Sequence, residues 1–285
     1  MNQIKEQVMK IVFLIAACTS VLAVALICIF LFANGIPAIG EIGVFKFLLG
    51  ELWRPSNNLY GILPMILGSI YVTAGAIILG VPVALFTSVF MARYCPKKIY
   101  PFFQSAITLM AGVPSVVYGF FGLVLIVPLI QSATGRDGST MLAASVLLAI
   151  MILPTIIGVT ESSLRSVPES YYEGSLALGA THERSIFFTI IPAAKSGIVA
   201  GIVLGIGRAV GETMAVIMVA GNQARMPAGL FRGVRTLTAN IVLEMGYAAD
   251  LHREALIATG VVLFVFILLI NLAVSLLNRR THYGD

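Results

Sequence analysis

Charged residues are scarce in this sequence. They make up 11% of the 285 residues, whereas 59% are apolar and the mean hydropathy is +0.98. An average soluble domain carries about 25% charged residues. So few charges cannot cover so much apolar surface in water, and so apolar a chain does not stay disordered. Soluble globular and intrinsically disordered proteins are therefore excluded, and the composition predicts an integral membrane protein.

Several chemical motifs are missing as well. The sequence has no G-x-x-x-x-G-K-[ST] loop, so the chain itself cannot bind ATP in a P-loop. Its three histidines form neither a zinc-protease motif nor another cluster of metal ligands. Its basic residues form no stripe interleaved with aromatic residues, which argues against nucleic acid as a partner. We therefore expect no catalytic residue, no metal and no cofactor bound by this chain.

Long uncharged runs predict an all-α integral membrane protein with six transmembrane helices, since a span needs about 20 residues. The predicted helices cover residues 11–33, 61–92, 101–132, 138–160, 196–220 and 255–277. The chain then divides into an N-terminal helix with an external loop (1–60), a transmembrane domain (61–278) and a cytoplasmic tail (279–285). Within the transmembrane domain, residues 161–195 form a long polar loop.

Lysine and arginine are unequally divided between the two sides of the predicted membrane domain. The side that holds both termini carries ten of these residues, and the other side carries seven. Because cytoplasmic flanks are richer in basic residues, we expect both termini in the cytoplasm. Three of the four arginines in the external segment 221–254 either guide an anion, pair with a docked protein or are simply solvated: Arg225, Arg232 and Arg235.

Arg208 and Glu212 are the only charged residues inside the predicted spans. Each charge would cost roughly 2.5–3.5 kcal/mol at the bilayer centre. Their i, i+4 spacing lets them meet on one helix face, where Gly201 and Gly205 let another helix approach closely. Arg208 and Glu212 either form a buried ion pair that holds helices together or line a permeation path. In a path, the guanidinium would suit an anionic substrate, and Glu212 would moderate how tightly the anion is held.

The polar loop 161–195 has the signals of a helix, a turn and a second helix. Pro168 suits a helix start, Gly179 suits a C-terminal cap, and Thr181 suits the N-cap of the second helix. Apolar residues within the loop allow it either to dock on another protein or to lie on lipid headgroups.

This loop also contains a recognisable motif. The stretch Glu173-Gly174-Ser175-x3-Gly179-x9-Thr189-x-Ile191-Pro192 resembles the EAA motif of ABC-importer permeases, E-A-A-x3-G-x9-I-x-L-P. Three residues match in register: Glu173, Gly179 and Pro192. Four depart from the motif, because Gly174 and Ser175 replace the alanines, Thr189 replaces isoleucine and Ile191 replaces leucine. The resemblance implies that Glu173, Gly174, Ser175, Gly179 and Pro192 contact an ATPase subunit as a coupling helix.

Three further segments resemble the permease subunits of the high-affinity phosphate ABC transporters, and the PstC type more than the PstA type. They are residues 111–119 (A-G-V-P-S-V-V-Y-G), 205–215 (G-I-G-R-A-V-G-E-T-M-A) and 236–246 (T-L-T-A-N-I-V-L-E-M-G). The resemblance implies the MetI-like fold of type I ABC importer permeases. It also implies a phosphate path along Arg208 and Glu212, to which we add Ser115 and Thr213 from the same segments.

The resemblance further implies a set of partners in a bacterial cytoplasmic membrane. The chain would pair with a PstA-type sister permease, above two copies of a PstB-type ATPase that bind ATP and Mg, and below a PstS-type periplasmic phosphate-binding protein. A permease for another oxyanion is the alternative within transport. A secondary transporter and a membrane-embedded sensor or scaffold are the alternatives from other classes.

Overall fold

The fold is helical apart from one small β-hairpin. A computed structural model describes the backbone of residues 2–282 and the side chains of residues 5–273. The first half of the chain contains α1 (Asn2–Ile42), α2 (Val44–Leu49), β1 (Trp53–Arg54), β2 (Leu59–Tyr60), α3 (Leu63–Val89), α4 (Tyr100–Gly112), α5 (Ser115–Phe121), α6 (Val127–Thr134) and α7 (Met141–Arg165). The second half contains α8 (Glu169–Ala177), α9 (His182–Ser185), α10 (Ile191–Ala193), α11 (Lys195–Gly211), α12 (Met214–Val219), α13 (Leu237–Glu244) and α14 (Asp250–His282). Strands β1 and β2 pair antiparallel, and π-helical turns continue α3, α5 and α9 at Phe90–Tyr94, Gly122–Ile126 and Ile186–Ile190.

The helices confirm a multi-pass membrane protein. Five helical stretches of the described chain are long and apolar enough to cross a membrane: Lys5–Ile42, Leu63–Tyr94, Ser115–Thr134, Met141–Arg165 and Asp250–Ala273. A sixth crossing is possible if His182–Ala193 and Lys195–Gly211, which meet at 69°, count as one bent span. Helix α14 extends to His282, so the predicted tail 279–285 begins as helix, and its residues 283–285 lie outside the described part.

Two of the predicted spans are broken helices. The span predicted at 101–132 is interrupted after α4, where Val113 takes an extended conformation (φ −68°, ψ 127°) because the following Pro114 disfavours helical backbone. The span predicted at 196–220 is interrupted at Glu212, which is also extended (φ −69°, ψ 128°). Pro82, in contrast, lies within α3 without interrupting it.

Helix α7 forms the centre of the bundle, with α3 on one side and α11 on the other. Glycines allow both contacts: a β-carbon on Gly80 would lie 3.0 Å from the Ala149 carbonyl oxygen, and one on Gly205 would lie 2.7 Å from Ile156. The close approach predicted for the glycine face of α11 is confirmed, because the face packs against α7. Helix α7 ends at Arg165, so the polar loop begins at residue 166 and not at residue 161 as predicted.

Candidate substrate path and coupling loop

The two helix breaks lie next to each other. Helices α5 and α12 begin just after the breaks and pack side by side through Gly119, where a β-carbon would be 3.0 Å from the Ala215 Cα atom. Gly119 is four residues after Ser115, and Ala215 is three residues after Glu212, so each break lies about one helical turn from this contact. The starts of two half-helices therefore meet at one level inside the bundle.

Arg208 and Glu212 do not form the ion pair that their spacing predicted. Because α11 ends at Gly211, Glu212 leaves the helix, and its Oε1 atom accepts a hydrogen bond from the backbone N–H of Ala215 at 3.2 Å. The Glu212 carboxylate therefore caps α12, where it interacts favourably with the positive end of the helix.

Arg208 has no partner among the residues whose side chains the structure describes. Within the described residues its guanidinium makes neither a salt bridge nor a side-chain hydrogen bond, and the residue is exposed on the surface of the isolated chain. It lies in the last turn of α11, directly before the break at Glu212. Across the first break, the Tyr118 hydroxyl donates to the Met110 carbonyl at 2.8 Å. Arg208 therefore offers free donors beside both breaks.

Ser115 and Thr213 flank this arrangement. Ser115 is the first residue of the continuous 20-residue helix Ser115–Thr134, whose N-terminal end carries partial positive charge. The Thr213 hydroxyl donates back to the Gly211 carbonyl at 3.2 Å and so helps to hold the break in α11. The structure thus gathers all four predicted path residues at the two breaks, with a capping role for Glu212 and a backbone contact for Thr213.

The predicted coupling loop has the local structure that its sequence indicated. Helix α8 begins after Pro168, and Gly179 ends it with a left-handed conformation (φ 86°) that favours glycine. The Thr181 side chain accepts the N–H of Arg184 and caps α9. Glu173 and Gly174 are exposed on α8, Ser175 is half-buried with its hydroxyl bonded to the Tyr172 carbonyl, and Pro192 is exposed in α10. The motif residues therefore lie on a protruding loop with large exposed apolar side chains, among them Leu178 (91% exposed) and Phe188 (76%).

A charged cluster at the base of this loop was missed. Glu161 is buried and pairs with Arg165, and its Oε1 atom also accepts the Tyr100 hydroxyl at 2.9 Å. The Arg165 guanidinium stacks over the Tyr100 ring at 4.4 Å. The signal was present in the sequence, because a glutamate directly after 23 uncharged residues (138–160) stands where α7 is still packed in the bundle.

A second buried cluster joins the β-hairpin to α13 and α14. Glu244 accepts hydrogen bonds from the Trp53 indole at 2.8 Å and from Arg235 at 2.5 Å, and His252 contacts it at 2.9 Å. Arg235 also donates to Asn240 at 3.0 Å. Arg235 is therefore a structural partner of Glu244 and is not simply a solvated residue. Arg225 and Arg232 remain exposed.

The fold as a whole is that of a known class of transporter subunit. A chain of the MetNI methionine ABC transporter, solved in inward-facing conformations, matches 80% of this chain over 99% of its own length, with a TM-score of 0.63 and 20% identity. A chain of a bacterial ABC transporter for alginate import matches 94% of this chain over 96% of its own, with a TM-score of 0.61 and 13% identity. The broken helices and protruding loop thus belong to the type I ABC importer permease fold, as predicted.

The family follows from sequence comparison. The model of the binding-protein-dependent transport system inner membrane component matches residues 80–283, so the chain belongs to this family and is a permease subunit of an ABC importer. A probable ABC transporter permease of Bacillus subtilis, YqgH, is 36% identical and is matched over 94% of this chain and 89% of its own length. The phosphate transport system permease protein PstC of Mesorhizobium japonicum is 34% identical over 86% of this chain and 81% of its own. A probable PstC of Methanocaldococcus jannaschii is 30% identical over 85% and 84%.

Proposed function

We propose that this permease subunit imports inorganic phosphate and that Arg208 binds the anion during transport. The relatives named PstC support the substrate, since they match this chain over most of its length. The observation that carries the proposal is the free guanidinium of Arg208 beside two adjacent helix breaks. A guanidinium offers parallel N–H groups to two oxygens of a phosphate, and a half-helix N-terminus adds favourable partial charge.

Alternating access explains how such a site would work. The exposed side of Arg208 would face a cavity shared with a sister permease, so phosphate could reach it first from outside and then from the cytoplasm. Because Glu212 is held at the start of α12, its carboxylate would not neutralise Arg208 directly. The anion would then be the partner that Arg208 lacks among the described side chains 5–273.

The substrate is tested by transport in proteoliposomes. The complete complex, with its ATPase and binding protein, should accumulate radiolabelled phosphate in the presence of ATP, and excess unlabelled phosphate should compete more strongly than sulfate or molybdate. If sulfate or molybdate competes better, the chain serves another oxyanion. If uptake proceeds without ATP in a gradient of protons or sodium, the protein is not ATP-driven and the proposal fails.

We also propose that Glu173, Gly174, Ser175, Gly179 and Pro192 dock the loop on an ATPase subunit. ATP and Mg would bind to that subunit, and this chain would supply neither a cofactor nor a catalytic residue. A PstA-type sister permease, two PstB-type ATPases and a PstS-type binding protein would complete the complex. The exposure of α8 supports docking, because the side chains of Tyr171, Glu173 and Leu176 are exposed in the isolated chain.

Glu173→Lys is expected to reduce ATP-driven uptake by about tenfold, because it reverses a charge on the docking helix and turns attraction between Glu173 and a basic group of the ATPase subunit into repulsion. Uptake and copurification of the ATPase subunit are the measurements. Glu183→Lys is the matched control, since Glu183 is an exposed glutamate of α9 in the same loop but outside the motif. Equal uptake by both variants and by the wild type would contradict the docking role of Glu173.

We further propose that both termini and the coupling loop lie in the cytoplasm of a bacterial inner membrane. A cysteine at Lys98, exposed in the turn between α3 and α4, should react with a membrane-impermeant maleimide only after the membrane is permeabilised. A cysteine at Arg225 should react in intact cells. The three native cysteines are first replaced by alanine. Labelling of Lys98→Cys in intact cells would invert the topology.

A further inference from the structure

Two arginines at the cytoplasmic ends of α3 and α7 each bind the end of the other helix. Arg93, in the π-helical turn that ends α3, donates from Nη2 to the Leu164 carbonyl of α7 at 2.9 Å. Arg165, the last residue of α7, donates from Nη2 to the Met91 carbonyl of α3 at 2.9 Å. The last carbonyls of a helix have no partner within the helix and carry partial negative charge. Each guanidinium therefore caps the neighbouring helix, and the two contacts are reciprocal.

The same arginines connect the two helix ends to the coupling loop and to α4. The Nη1 atom of Arg93 pairs with Glu169, in the first turn of α8, at 3.2 Å. Arg165 pairs with Glu161 and stacks on Tyr100 at the start of α4. The pair formed by Arg93 and Arg165 thus joins the ends of α3 and α7 to the first turns of α4 and α8.

Arg93 is the more constrained of the two. Its side chain is only 12% exposed, whereas that of Glu169 is 61% exposed. Its Nε atom is buried without a hydrogen-bond partner, so the two Nη atoms alone supply its contacts. The next residue, Tyr94, holds the loop at a second point, because its ring packs edge-to-face on His182 of α9 with centroids 4.9 Å apart. The end of α3 therefore contacts both helices of the coupling loop.

We propose that Arg93 and Arg165 are positioning residues that make α3, α7 and the coupling loop move as one body. This inference rests on the proposed docking of the loop to an ATPase. Helix α7 in turn packs against α11, the helix that carries Arg208, through the contacts of Gly201 and Gly205. The loop is continuous in sequence with α7 and α11, and the contacts of Arg93 and Arg165 would add a rigid connection through which a displacement of α8 reaches the Arg208 region by way of α7. Neither arginine contacts substrate or ATP in this scheme.

The test measures phosphate transported per ATP hydrolysed by the complete complex in proteoliposomes. Arg93→Met should lower this ratio about tenfold, the order expected when a charge-assisted hydrogen bond between the moving parts is lost. Arg93→Lys should give an intermediate ratio, because one ammonium group cannot serve two divergent acceptors. The KM for ATP and the concentration of binding protein that half-saturates stimulation should stay unchanged in all variants, since docking and nucleotide binding are intact.

Glu169→Ala keeps the test decisive if Arg93→Met does not assemble. Glu169 is exposed, so its removal leaves the fold intact and releases only the loop from Arg93; the ratio should fall about threefold. Lys98→Met, in the adjacent turn, is the control and should match the wild type. If Glu169→Ala transports as much phosphate per ATP as the wild type, the proposal is overturned. It is also overturned if a rise in the KM for ATP, or in the half-saturating concentration of binding protein, accounts for the whole loss of transport. Failure of the wild-type complex to transport phosphate would instead refute the proposed substrate, and the ratio would then be measured with the transported oxyanion.

Discussion

Replacing Arg208 with alanine is expected to reduce phosphate uptake by about 100-fold while the transporter still assembles. Charged hydrogen bonds to a buried anion are worth roughly 3 kcal/mol together, which corresponds to about 100-fold in rate or affinity. Assembly should persist because Arg208 has no ion-pair or hydrogen-bond partner among the described side chains, so its removal leaves no buried group unpaired. The initial rate of ATP-driven uptake in proteoliposomes is the measurement.

Two variants serve as controls for this result. Arg208→Lys keeps the charge but loses the paired N–H groups, so uptake should fall less than in the alanine variant. Arg253→Ala removes an exposed arginine of α14 far along the chain from the breaks and should transport as the wild type does. If Arg208→Ala transports phosphate normally, Arg208 is a packing residue and the proposed site is wrong. If it abolishes assembly, its guanidinium binds the sister subunit.

Much of the fold was predictable because a helix that crosses a bilayer needs a long apolar run, and such runs are visible in the sequence. Uncharged runs marked the spans, and Gly201 and Gly205 marked the face of α11 that packs on α7. The coupling loop was predictable for a local reason: Gly179 and Thr181 determine helix ends through their own backbone and side-chain chemistry.

The sequence predicted which residues form the candidate site, but it did not predict how they are arranged. The i, i+4 rule holds only while the helix continues, and α11 ends at Gly211. The polar pair Glu212 and Thr213 directly after that glycine was the available signal, since both side chains bond to nearby backbone groups that a continuous helix would occupy. The break before Pro114 has a local cause, because proline disfavours helical backbone at the residue before it.

Long-range polar contacts could not be predicted from the sequence. Glu244 and Trp53 are separated by 191 residues, yet the indole donates to the carboxylate at 2.8 Å. No periodicity or spacing links such residues, because the contact exists only once α14, α13 and the hairpin of β1 and β2 have packed together. For the same reason Arg235 was interpreted as a surface residue, although its guanidinium is enclosed with Glu244 and Asn240.

Glu244→Gln is expected to lower the free energy of unfolding by about 2 kcal/mol, and it tests whether the Glu244 cluster holds the hairpin of β1 and β2 in place. The Glu244 carboxylate accepts from both Trp53 and Arg235, with its side chain only 9% exposed. Glutamine has the same shape but offers one acceptor oxygen instead of two, and its uncharged amide leaves the Arg235 charge without an ionic partner in a partly dehydrated site. Thermal unfolding of the detergent-purified chain, followed through the emission of Trp53, is the measurement, because Trp53 is the single tryptophan of the sequence.

The matched control is Glu254→Gln, which makes the same chemical change at an exposed position of α14 and should unfold at the wild-type temperature. A double variant that combines Glu244→Gln with Arg235→Gln separates the ion pair from the remaining contacts. Because the second change removes the unpaired charge, it should recover part of the lost stability instead of adding to the loss. If Glu244→Gln and Glu254→Gln have equal midpoints of thermal unfolding, the buried Glu244 carboxylate contributes nothing to the attachment of the hairpin. The apolar packing of Trp53 and Tyr60 alone would then hold the hairpin in place.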